Sequence, residues 1–174
     1  MSTDKNLEAE QLRQLRDQID AIDSEILRLI SERARCAQQV AVVKKAHNPE
    51  DTTPDYYRPE REAQVLRRIL EANPGPLPNE EMARLFREIM SACLALEHPI
   101  RVAYLGPEGT FTQQAALKHF GRSAICLPMA SIDDVFREVE AGAAEYGVVP
   151  VENSSEGVVN HTLDTFFGSN LKIC

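Results

Sequence analysis

The sequence predicts two units of different class, an all-α segment followed by a parallel α/β segment. Three observations carry this reading. Residues 7–46 contain neither Pro nor Gly and place apolar residues at alternating three- and four-residue spacing. From Arg101 onward, short apolar runs alternate with helical stretches. Only His98, Pro99 and Ile100 separate the two patterns. The boundary is set near Pro99, giving units 1–98 and 99–174.

The elements follow in order. Leu12, Leu15, Ile19, Ile22, Ile26 and Leu29 form a heptad-like seam on the first helix. A helix of about 40 residues is roughly 60 Å long, so it cannot bury that seam on itself and needs partners. HNPEDTTPDYYRP reads as a loop. Pro59 suits the first turn of a short helix running to Ala72. NPGPLPN breaks the chain, and Glu80 to Glu97 forms a third helix with Leu85, Ile89 and Cys93 on one face. Past Pro99 the expected order is strand Arg101–Leu105, helix Thr112–Phe120, strand Ile125–Leu127, helix Ile132–Ala141 and strand Tyr146–Val149. A helix around Val158–Phe167 and the start of a strand at Leu171–Ile173 complete the series.

Composition narrows the function. A net charge of -8 argues against nucleic acid or an anionic membrane as the main partner, although a local Arg/Lys cluster can still hold a small anion. No apolar stretch approaches the ~20 residues of a membrane span. The N-terminus, MSTDKNLEAEQLRQ, lacks the apolar core of a signal peptide. Cys36, Cys93, Cys126 and Cys174 lie far apart and form no CxxC pair, which disfavours structural zinc and a disulfide framework. A reducing cytoplasm fits this pattern.

Charges interrupt the seam. Beyond Leu29 it meets Arg33 and then Lys44, eleven residues further on, which is about three turns and places both on one face roughly 16 Å apart. Cations on an otherwise buried stripe need anions. Two readings fit: internal ion pairs with Glu62 or Glu97, or an anionic ligand held inside a helical bundle. Arg61 and Glu62 open the second helix, and Glu97 continues the face of the third. Arg16 precedes Arg33 by seventeen residues, about 25 Å along the helix. Either it is a solvated flank residue, or it serves such a site from a second chain running antiparallel.

Two turns in the second unit carry candidate chemistry. GPEGTFT follows a strand and opens a helix, so its amides suit a carboxylate or phosphate. It lacks the lysine and Ser/Thr of a P-loop, and a tight strand–helix turn explains it equally. PVENSSEG gathers Glu152, Asn153, Ser154, Ser155 and Glu156, readable as a ligand site or as a polar turn with a helix cap.

LRDQIDAIDSEILRLISERARCAQQVAVVKK, YRPEREAQVL and RLFREIMSACLALE together resemble the all-helical chorismate mutases of the AroQ class over residues 7–97. YLGPEGTFT and GVVPVENSSEGVVNHTLD resemble two signature segments of prephenate dehydratase. Their fusion in this order resembles the bifunctional P-proteins of phenylalanine biosynthesis. The resemblance implies an intertwined helical homodimer, then a lobe like those of periplasmic binding proteins. It implies that Arg33 and the partner chain's Arg16 clamp the carboxylates of chorismate. Lys44 would contact the ether oxygen and a carboxylate, Glu62 would take the substrate hydroxyl, and Arg61 would support the edge. Cys93 stands where some members have serine, Arg58 where some have aspartate, and Glu97 where some have glutamine. The implied reaction is a pericyclic rearrangement of chorismate to prephenate, needing no cofactor, metal or general base. An ionised carboxylate is acceptor-only, so Glu97 can donate to the ether oxygen only when protonated. Burial would raise its pKa and Lys44 would oppose that.

In the dehydratase segment Glu108, Gly109, Thr110, Asn153, Ser154, Ser155 and Glu156 are the prephenate-site candidates. The family's Thr-Arg-Phe segment and its phenylalanine-binding regulatory domain do not occur in this sequence. The expectation is an incomplete lobe with an exposed sheet edge, partly disordered or aggregation-prone and inactive as a dehydratase. A competing reading makes the chain a non-catalytic helical dimerisation module carrying a small-acid-binding α/β lobe. Arg33 and Lys44 on the seam argue against it, because a pure dimerisation helix prefers hydrophobes there. A periplasmic solute-binding lobe shares the expected fold but not the N-terminus.

Overall fold

The computed structural model describes residues 2–47, 57–153 and 157–174, with side chains from Asn6 onward. Contacts divide the chain into two compact units, Met1–Pro49 and Glu50–Cys174.

The first unit is a single helix, α1, Ser2–His47. It begins earlier than the periodicity indicates, because no breaker precedes Leu7. Lys44, Lys45 and His47 sit in its last turn, where the helix dipole favours cations. Arg28 pairs with Glu25 at 2.7 Å and with Glu32 at 2.9 Å on the outer surface. Such exposed pairs contribute little to stability. The seam itself is solvent-facing: Leu12, Leu15, Ile19, Ile22, Ile26 and Leu29 are 45–58% exposed in the single chain.

The second unit opens with an antiparallel hairpin of α2, Pro59–Ala72, and α3, Asn79–Ala95. Pro59 begins α2 after an extended Arg58. Asn73 closes the hairpin turn, its side-chain amide donating to the Leu77 carbonyl at 2.9 Å and to Asn79 Oδ1 at 2.8 Å. Helix α3 ends two residues before Glu97. The amides of Leu96 and Glu97 turn back to Cys93 and Leu94, three residues behind, and the chain tightens before Pro99.

The α/β part comprises β1 (Arg101–Leu105), α4 (Phe111–Phe120), β2 (Ile125–Met129), α5 (Ile132–Glu140) and β3 (Tyr146–Val148). The strands form a parallel sheet in the order β2-β1-β3, pairing Arg101 with Ile125 and Val102 with Tyr146. Alternation along β1 cores both faces. Val102 packs with Ala116 and Phe120 of α4, with Ile100 and with Tyr57. Ala103 faces the other way, onto Val135 of α5 and Ala144. Ser131 caps α5, and Asp133 and Asp134 in its first turn complement the dipole.

Two strands of two residues, β4 (Glu152–Asn153) and β5 (Gly157–Val158), pair antiparallel before α6 (Asn160–Gly168). This pairing delays the last helix, expected from Val158, to Asn160. The strand expected at Leu171–Ile173 does not form. There the Ser169 hydroxyl donates to Glu140 at 2.6 Å and accepts the Leu171 amide at 3.2 Å, so local side-chain bonds take the place of a ladder.

The helical hairpin is seated on the α/β part at Gly121, which ends α4 with φ +80°. A Cβ there would overlap the Cβ and Oγ of Ser91 on α3. The neighbouring Arg122 amide donates to Glu88 of α3 at 3.1 Å. Gly121→Ala is therefore expected to destabilise the chain by about 1–3 kcal/mol, through backbone strain and overlap together. Gly168→Ala, at a site with open space around it, should stay within about 0.5 kcal/mol of wild type. Urea unfolding of the two variants checks this.

Candidate functional site

On α1, Arg16 is exposed, while Arg33 and Lys44 are half-buried. On the hairpin, Arg58 and Arg61 are exposed, Glu62 and Glu97 are half-buried, and Cys93 is buried. Leu85, expected on the apolar face of α3, is 40% exposed, whereas Ser91 is buried. The buried side of α3 is thus rotated from the expected face toward Ser91.

That rotation brings in a residue the sequence reading missed. Arg87 of α3 donates from Nε to Glu62 Oε1 at 3.3 Å, with the side chains 28% and 17% exposed. Arg87 and Ser91 are four residues apart and share a face, and that i, i+4 relation was the available signal. Tyr57, just ahead of Arg58, was read only as loop. Its buried ring lies 5.6 Å from the Phe120 ring and 5.5 Å from that of Tyr146. Burial pushes its phenol well above the ordinary tyrosine range, and the charge and hydrogen bond of Glu62 push it further.

Beside Glu97, His98 Nε2 lies 2.8 Å from Glu145 Oε1, and the Arg101 amide donates to Glu145 Oε2 at 2.7 Å. Burial alone would raise the Glu145 pKa. Its hydrogen bonds to His98 and to the Arg101 amide outweigh that and hold it below the ordinary carboxylate value.

In the sheet, β1 leads through α4 to β2 on one side, and the chain then crosses to β3 on the other. The crevice beyond the carboxyl ends of β1 and β3 is a topological switch point, where open α/β sheets bind ligands. GPEGT follows β1 and Glu152–Asn153 follows β3, so both candidate segments flank it. Gly109 takes φ +85°, which the turn needs and other residues resist. Its amide donates to Gln113 Oε1 at 2.6 Å. Thr110 caps α4, accepting the Gln113 amide at 3.4 Å and donating to the Leu105 and Pro107 carbonyls. Glu108, Gly109 and Asn153 are exposed and Thr110 is half-buried. Ser154, Ser155 and Glu156 lie outside the described residues. An open apolar groove of about 470 Å³ runs beside β3, lined by residues including Tyr146, Val148 and Ile173, and none of the described candidate residues borders it.

These features define a two-part protein, a mostly helical segment with charge on its half-buried faces and a small parallel α/β segment. Residues 15–98 match the family model "Chorismate mutase type II", and residues 102–174 match "Prephenate dehydratase". A bifunctional chorismate mutase/prephenate dehydratase of Stutzerimonas stutzeri is 68% identical over 96% of this chain and 46% of its own length. A chorismate mutase structure from Thermus thermophilus covers 50% of this chain and 93% of its own, at 39% identity and a TM-score of 0.44. A prephenate dehydratase structure from Streptococcus mutans covers 39% of this chain and 35% of its own, at 43% identity and a TM-score of 0.37. The chain spans about half the length of the curated relatives it matches. It is a homologue of the bifunctional chorismate mutase/prephenate dehydratases, with a chorismate mutase domain followed by a dehydratase segment.

Glu145→Gln tests the junction at the start of β1. A depressed folded pKa stabilises above the ordinary carboxylate value of 4.5, and that contribution is lost as pH falls through the folded value. Wild type is expected to exceed the variant by less than about 1 kcal/mol at neutral pH, because the pair is partly exposed. The gap should close as pH falls below the ordinary carboxylate range, as read by thermal melts across pH.

Proposed function

We propose that this chain rearranges chorismate to prephenate at a site built by the helical domain, residues 1–98. The observation that carries the reading is the placement of Arg33 and Lys44, half-buried on the one long helix whose remaining seam is apolar. A pericyclic step needs a compact substrate conformer and stabilisation of charge on the breaking ether oxygen. Arg33 and the partner chain's Arg16 hold the two carboxylates. Lys44 places a cation at the ether oxygen, and protonated Glu97 donates a hydrogen bond to it. Glu62 receives the substrate hydroxyl, with Arg61 at the edge. Cys93 offers only a weak donor where a hydroxyl would bind, and Arg58 adds a cation at the rim.

The exposed seam supports a homodimer, since an apolar row of this length is stable in water only when covered. An antiparallel partner also removes the difficulty of Arg16, about 25 Å from Arg33 on its own helix. In the dehydratase segment, residues 99–174, the switch point between β1 and β3 is the proposed prephenate-binding region, bordered by Glu108, Gly109, Thr110 and Asn153. In the chain as it stands we expect no turnover of prephenate, and we place the protein in the cytoplasm.

Two expected outcomes test this reading. Supplied with chorismate, the chain should accumulate prephenate without enzymic phenylpyruvate, and Arg33→Ala should cost about a hundredfold or more in kcat/KM. Mixing inactive Arg16→Ala and Arg33→Ala chains should then restore about a quarter of the sites, because each mixed dimer rebuilds one intact site. Persisting chorismate in a folded dimer would instead favour the dimerisation module. Separately, mutase activity should fall as pH rises through the Glu97 pKa, and Glu97→Gln should flatten that profile. Identical profiles would remove Glu97 from the proposed chemistry.

A further inference from the structure

The ion pair between Glu62 of α2 and Arg87 of α3 differs from its neighbours on the helices. Arg13, Arg28, Arg84 and Arg137 each pair with a carboxylate three or four residues away on their own helix. The Arg84–Glu81 pair, earlier on α3, leaves its side chains 61% and 46% exposed. Arg87 instead reaches across the hairpin to a residue 25 positions earlier, donating from Nε to Glu62 Oε1 at 3.3 Å. Both of these side chains are half-buried.

The packing of α3 holds that arginine in place. Glu88 accepts the Arg122 amide at 3.1 Å, and Ser91, one turn beyond Arg87, lies where a Cβ on Gly121 would overlap it. These two contacts with the end of α4 fix the rotation of α3 about its axis, and with it the side that faces α2. Glu62 sits in the first turn of α2, its amide donating to the Arg58 carbonyl at 3.0 Å. Its backbone is therefore set by the helix and its carboxylate by Arg87. A glutamate side chain gives up rotamer freedom whenever it is held in one orientation. A donor that is already in place meets that cost before substrate arrives. Charge matters as well, because a half-buried carboxylate repels a substrate carrying two carboxylates. An adjacent guanidinium offsets that repulsion and leaves lone pairs on the carboxylate to accept a hydroxyl. We infer that Arg87 is a positioning residue for the mutase reaction, fixing and neutralising the Glu62 carboxylate that receives the substrate hydroxyl. The inference rests on the proposed role of Glu62 at the mutase site.

A double-mutant cycle on this chain tests it, with chorismate turnover measured for wild type, Arg87→Met, Glu62→Gln and the double variant. Arg87→Met keeps an apolar stem and removes the guanidinium. It is expected to raise KM about three- to tenfold while kcat changes less, because the accepted hydroxyl is held alike in the ground and transition states. That factor lies below the full worth of a buried charged hydrogen bond, since the pair is partly exposed. In the Glu62→Gln background the same change should cost less than about twofold, because no carboxylate is left to neutralise. Arg87→Lys restores the charge without the planar fork and should recover part of the lost KM. Arg84→Gln should leave KM at its wild-type value. Equal KM shifts in both backgrounds, or as large a rise in Arg84→Gln, would overturn the inference. A lowered melting temperature with KM unchanged would also overturn it, by making the pair a structural brace. If Arg87→Met does not fold, Arg87→Lys carries the same cycle with a smaller factor. Wild-type KM in Glu62→Gln would overturn the inference by removing its target, and absence of turnover in wild type would overturn the mutase reading along with it.

Discussion

The contact on which the second unit depends is the aromatic and aliphatic packing over one face of β1. Val102 has no exposed surface, and Tyr57, Phe120 and Ile100 close over it from three different parts of the chain. Tyr57 comes from the approach to α2, Ile100 from the approach to β1 and Phe120 from the end of α4. A buried residue at each of these places ties the helical hairpin to the sheet. Gly121 and Ser91 then set how closely α3 can approach. Domains recognised by sequence similarity and units defined by contact consequently divide this chain at different places. The family matches change over between residues 98 and 102, while the contact division falls at Pro49.

Helix α1 poses the opposite problem. Its seam has the pattern of a core and the exposure of a surface. Each such side chain is about half exposed, so covering the rest contributes roughly 1 kcal/mol, and six of them form a strong drive to associate. The half-buried Arg33 and Lys44 interrupt that apolar row with charge, so whatever covers the row must also accommodate those charges.

Much of this was legible in the chain. The absence of Pro and Gly through residues 7–46, the firm break at NPGPLPN and the change of period after Pro99 each fixed an element of the right kind. The parallel strands were readable because β1 is cored on both faces and so forms a continuous apolar run. What was not legible depends on partners distant in sequence. Tyr57 lies in a polar, proline-bearing stretch, and its burial is decided by Phe120 and Tyr146, more than sixty residues away. Arg87 was passed over because the apolar face of α3 was taken through Leu85, Ile89 and Cys93, whereas Leu85 is 40% exposed. The pairing of β4 with β5 was hidden because strands of two residues carry no period. At GPEGT the amides of Gly109 and Gln113 already have partners within the turn. Spacing showed a turn there, but not where its hydrogen bonds went.

The sheet also separates the two regions of interest. Glu97, His98 and the Glu145 junction lie at the amino end of β1, and the switch point lies at its carboxyl end. Five strand residues span about 16 Å. A ligand the size of prephenate cannot touch both ends, so any influence of one region on the other must pass through packed side chains. Strand β1, held rigid by α4 on one face and α5 on the other, is poorly suited to carry a graded movement. Tyr57 belongs to the same packed cluster, and its hydroxyl lies 3.4 Å from His119 Nε2 of α4.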